Sequence, residues 1–150
     1  MSDSFITLIS EDLSSIPDDD RRQEAIAAFR RIAPQADSIS ECVSETVRFF
    51  DAGENWEGIN CPFCDRVIET DWWKDRMDED FNGGFHLREY CLPCCGARSS
   101  LHNLDYRWAV GFGRFIIVAM NPYIARLSDT LRADFERILD CPLRFIYGHI

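Results

Sequence analysis

Two cysteine clusters constrain what this 150-residue chain can fold into more than any other feature: CPFC, from Cys61 to Cys64, and CLPCCG, from Cys91 to Gly96. Twenty-six residues separate them, so the intervening chain must double back for two sulfur-rich turns to meet. The opening MSDSFITLIS has no basic stretch ahead of an apolar run, and the most apolar later stretch, Phe112 to Met120, is too short to span a bilayer. The expectation is a cytoplasmic protein without a membrane segment. In a reducing compartment paired cysteines are metal ligands or redox groups more often than structural disulfides. The odd total of seven cysteines also argues against a simple disulfide framework.

Cys61, Cys64, Cys91 and Cys94 form two C-x2-C pairs. Zn2+ is well held by four soft thiolates in a tetrahedron. Two intervening residues let one tight turn aim both sulfurs at a point, Pro62 and Pro93 restrict the turns, and Gly96 allows unusual backbone angles beside the second. Cys95 is the alternative to Cys94 as fourth ligand; the spacing of the first pair favours Cys94. His86 and His102 are weaker substitutes. A CPxC knuckle followed by a second C-x2-C resembles the zinc-ribbon family, over roughly Asn60 to Arg98. The resemblance implies metal binding and no particular activity. The expected cofactor is one structural Zn2+, since four cysteines close the shell and leave no position for substrate or activated water. Iron is the competing metal for such a site, and disulfide switching the competing chemistry. Cys42 and Cys141 read as apolar fillers.

Around these clusters the pattern is regular. FITLIS, Phe5 to Ser10, reads as a strand. Pro17 and three aspartates open a helix with Ile26, Phe29 and Ile32 on one face, and Pro34 stops it. Asp37 to Phe50 reads as strand from Ser44 onward, with its first half open between helix and strand. Between the clusters, Val67 and Ile68 suggest a short strand. Asp71 is a candidate cap for a helix turning Trp73, Met77 and Phe81 inward, and Phe85 to Tyr90 returns as a strand. Gly53 marks a turn in DAGEN, Trp56 leads toward the first cluster, and Gly111 to Gly113 reads as a bend entering a strand. FGRFIIVAM, a helix opened by Ser128 and Asp129, and LRFIYGHI complete the chain. This order predicts one α+β domain, residues 1–150: a ferredoxin-like βαββαβ platform, with a zinc-ribbon-like insert, residues 60–98, between strands 2 and 3.

The formal charge is −10, from 26 acidic and 16 basic residues, without a Lys/Arg-rich run. Nucleic acid is therefore a poor partner for the chain as a whole. No G-x-S-x-G, Walker loop or H-E-x-x-H is present, so no enzyme is expected. From Asp65 to Asp80 there are seven acidic and three basic residues. Trp72, directed away from Trp73, with Asp75, Asp78 and Glu79, forms the candidate partner surface: an aromatic anchor with an acidic rim, suited to a basic protein. The functional expectation is a non-enzymatic zinc-binding interaction module, resembling inhibitors or toxin-immunity proteins in general character. The alternatives are a zinc-ribbon accessory factor of nucleic-acid machinery and a thiol redox sensor. Pairing of sheet edges makes a homodimer feasible.

Overall fold

The computed structural model describes residues 3–51, 57–107 and 110–149. The turn expected around Gly53, and Trp56 after it, lie outside the described residues.

FITLIS has no polar face, so as a strand it must be covered on both sides. It forms β1 (Ser4–Ser10), with Ile6 to Ser10 all buried. Strand β8 (Val110–Met120) pairs on one side of it and β9 (Leu143–His149) on the other, both antiparallel. Strand β2 (Ser38–Asp51) pairs antiparallel with β8, giving the order β2-β8-β1-β9.

Helix α1 (Asp19–Ile32) begins where the Asp18 carboxylate accepts the Arg21 N–H at 2.8 Å, a cap that contributes about 1 kcal/mol. Asp19 and Asp20 sit in its first turn and Arg30 and Arg31 in its last, each favoured by the helix dipole. It ends at Ala33, because the residue before Pro34 is disfavoured in helical geometry. Helix α3 (Asp129–Leu139) is capped by Ser128, whose Oγ accepts from Leu131 N–H at 3.2 Å. Phe29 of α1 and Phe135 of α3 meet with ring centroids 5.2 Å apart. They share a core with Ile6, Leu8, Phe115, Ile117 and Leu143 of the sheet. A smaller cluster joins Ile9, Ile116 and Ile146.

The stretch whose first half was open between helix and strand is extended throughout. Its register against β8 shifts between Val43 and Arg48, a bulge that frees backbone groups for other partners. Arg114 Nε donates to Ser44 O at 3.2 Å there, and Val47 O accepts the N–H of Phe85 at 2.9 Å. Gly111 to Gly113, expected as a bend, lies inside β8.

The chain between β2 and β8 builds a second core. Strands β3 (Ile59–Asn60) and β4 (Val67–Ile68) form a hairpin extended by β7 (Asp105–Tyr106); β5 (Tyr90–Cys91) and β6 (Arg98–Ser99) form another. Helix α2 (Thr70–Asp80) connects the hairpins. Ile59, Cys61, Ile68, Trp73, Leu92, Leu101 and Leu104 are buried together with Phe112 from β8, which joins this core to the sheet.

Three expectations for this segment change. Asp71 lies in the first turn of α2, and the capping position belongs to Glu69. Phe81 ends the helix 54% exposed, its ring edge-on to Phe85, while Trp73 is buried and Met77 half-buried. Of the stretch Phe85 to Tyr90, Phe85 makes only isolated bridges and Tyr90 opens β5. Residues 86–89 form no strand, because the N–H groups of His86, Leu87 and Arg88 donate to the Asp80 carboxylate rather than to a neighbouring strand. The described residues thus form a mixed α+β structure with antiparallel sheets and three α-helices. None of these helices is long and apolar enough to cross a membrane.

Candidate metal centre

The hairpin turn at CPFC places Cys61 directly after β3, 1% exposed and buried with the segment's core. The N–H groups of Phe63 and Cys64 both point at Cys61 Sγ, each at 3.4 Å. The second turn brings Cys94 and Cys95 to the same point. The sulfurs of Cys61, Cys64, Cys94 and Cys95 all lie within 4.8 Å of one another. Cys61 and Cys95 sulfurs are 3.8 Å apart. With Zn–S bonds of about 2.3 Å, a tetrahedron of thiolates has edges of about 3.8 Å, so the donor set and its spacing fit zinc.

Electrostatics favour ionisation at one sulfur first. Burial opposes charge on Cys61, but the amides of Cys64 and Phe63 and the thiols of Cys94 and Cys64 outweigh it, leaving its pKa at about 7. Cys94 is pushed up to about 12 by burial and by hydrogen bonding to the other thiols. Four thiols this close cannot all shed protons without a cation among them, which is the condition a divalent metal meets.

Of the predicted ligands, the structure brings together Cys61, Cys64 and Cys94, with Cys95 as fourth member. Cys91 lies outside this group; it is exposed, and Arg98 Nη1 approaches its sulfur at 3.7 Å. His86 and His102 are also outside it. His86 Nε2 sits 3.1 Å from Asn82 O, and His102 is buried 3.7 Å from a Glu11 carboxylate oxygen. Cys141 is buried and Cys42 half-buried, the latter packed on the Ile9 cluster.

On the candidate partner surface, Asp75, Asp78 and Glu79 are exposed on α2, with Glu79 paired to Arg76 at 3.0 Å. Trp72 is half-buried against the segment's core, and the Arg76 guanidinium lies 5.7 Å from its ring centroid.

Two features escaped sequence reasoning. Asp80 is fully buried, although seven residues after Trp73 and three after Met77 it falls on the inward helical stripe, a signal open to reading. Arg107, Arg126 and Arg144, dispersed in sequence, line one groove of 720 Å³ beside β9. Each has a local partner: Arg107 meets Asp65 and Asp105, Arg126 covers the Tyr147 ring, and Arg144 pairs with Glu11 at 3.2 Å.

Compared with family models, with curated proteins and with solved structures, the chain finds no match in any of the three.

Proposed function

We propose that this chain is a non-enzymatic zinc-binding interaction module: a ferredoxin-like platform carrying a zinc-ribbon-like segment that presents an acidic surface to a basic protein. The observation that carries the zinc reading is the gathering of four cysteine sulfurs within 4.8 Å from two turns distant in sequence. The order β2-β8-β1-β9, with α1 and α3 sharing one core, supports the platform. The two short cysteine hairpins support the ribbon-like description. Four thiolates fill a tetrahedral shell, so the metal would act as a cross-link rather than a Lewis acid. The acidic face of α2, in a chain of net charge −10, supports a basic partner. A surface of this sign can cover a phosphate-binding cleft, as an inhibitor or immunity protein does.

Protein purified without chelator is expected to carry about one zinc per chain, and Cys61→Ser to lose both the metal and stability. A folded metal-free wild type, with melting unmoved by strong chelation, refutes the zinc reading. For the partner, a native pull-down is expected to recover a stoichiometric basic protein that is lost on Asp78→Lys. Retention of nucleic acid at moderate salt instead refutes the basic-protein reading in favour of an accessory factor of nucleic-acid machinery.

A further inference from the structure

We infer that the second cysteine turn is a displaced copy of the first, in which Leu92 occupies a ligand position and the adjacent pair Cys94–Cys95 completes the metal shell, leaving Cys91 outside. The inference rests on the zinc reading and goes beyond it by assigning the ligands. Moving along the chain by 31 residues carries Ile59 of β3 onto Tyr90 of β5, and Val67 of β4 onto Arg98 of β6. Between the strands the backbone bonds repeat. In the first turn Cys61 N–H donates to Arg66 O at 2.8 Å and Asp65 N–H to Cys61 O at 3.0 Å. In the second, Leu92 N–H donates to Ala97 O at 2.8 Å and Gly96 N–H to Leu92 O at 2.9 Å. The left-handed residue also repeats, Asp65 with φ 60° and Gly96 with φ 73°. Pro62 matches Pro93.

This register pairs Cys61 with Leu92 and Cys64 with Cys95. Cys61 and Leu92 are 1% and 2% exposed and belong to the same core, as equivalent positions should. A knuckle therefore holds ligands at the residue before its proline and the second residue after it. In the second turn the first of these positions carries an isobutyl group. Its role passes to Cys94, the counterpart of Phe63; Phe63 is 63% exposed, whereas Cys94 is half-buried among the other thiols. Cys91 corresponds to Asn60, one residue before the turn. Cys91, the last residue of β5, is exposed where Leu92 after it is buried, and its pairing across the hairpin sets it beside Arg98. The C-x2-C spacing of Cys91 and Cys94 is thus not the spacing of a knuckle.

The test is alkylation of zinc-loaded wild-type protein without denaturant, with modified cysteines mapped by mass spectrometry. Cys91 is expected to react while Cys61, Cys64, Cys94 and Cys95 stay protected until chelator is added. Cys91→Ser is expected to keep the wild-type zinc content. Cys94→Ala is expected to lose zinc, and Leu92→Cys added to it to restore binding by completing a second regular knuckle. Zinc-loaded protein in which Cys91 is protected and Cys95 reacts, with metal lost on Cys91→Ser, overturns the ligand assignment while leaving zinc binding intact. A wild type that takes up no zinc overturns the zinc reading itself.

Discussion

Asp80 sits at the C-terminal end of α2, where the helix dipole disfavours negative charge, with no exposed surface. Burial alone would raise its pKa. The N–H groups of Arg88 and Leu87, the Tyr90 hydroxyl and the His86 N–H outweigh that and hold it below the ordinary carboxylate value. The four donors lie between 2.7 and 3.0 Å from its oxygens. Asp80→Asn keeps the shape but turns an amide NH2 toward at least one backbone N–H, since each carboxylate oxygen accepts from one or more of them. It is expected to cost about 2–4 kcal/mol in urea unfolding at neutral pH. Because the folded pKa is lowered, the carboxylate's contribution is fully present above the ordinary value of about 3.9 and is lost as pH falls through the folded value. The stability gap between wild type and Asp80→Asn is therefore expected to narrow below about pH 4. A gap independent of pH contradicts this.

At the scale of elements, the cysteine segment docks on the β2 bulge through close backbone contact. An ideal Cβ on Gly84 would lie 2.4 Å from Thr46 Cβ, an atom that no rotamer change can move away. Gly84→Ala is expected to destabilise by about 1–3 kcal/mol and to loosen residues 81–90 first, read as raised amide exchange there. Unchanged exchange in those residues rejects the contact as a docking constraint. The elements legible in sequence were those whose signals are local. Asp18, Ser128 and Pro34 bound α1 and α3, and largely apolar runs mark β1 and β8. The bulge in β2 left no such mark. Ser44 to Val47 are ordinary strand residues, and only the insertion of Phe85 and Gly84 beside them gives the irregularity a purpose. Likewise, Phe85 to Tyr90 carries strand-like residues, yet a carboxylate captures three successive N–H groups of the stretch.

At the scale of the whole molecule the described residues form two large cores, besides the small Ile9 cluster. The one between α1, α3 and the sheet contains no residue between 57 and 107. The other gathers the cysteine segment, with Phe112 as its anchor on β8. Metal removal should therefore act unevenly. Chelation is expected to raise amide exchange in β3 to β7 while β1 and β9 keep their protection. Uniform loss of protection argues instead for one cooperative unit.

The residues alone determined what is settled within a turn or two: helix bounds, apolar runs, and two tight turns rich in sulfur. They also determined that thiols would be available for a metal, because prolines and cysteines at short spacing act through local geometry. Tertiary structure decided which thiols meet. The sequence spacing favoured Cys91 with Cys94, whereas the fold buries Leu92 in a shared core and leaves Cys91, at the end of β5, exposed and apart from the cluster. Asp80 differs in degree: its place on the inward stripe of α2 is local, but its four donors come from the stretch His86 to Tyr90 that folds back over it. The choice among thiols depends on contact between two turns some thirty residues apart, which no local spacing encodes.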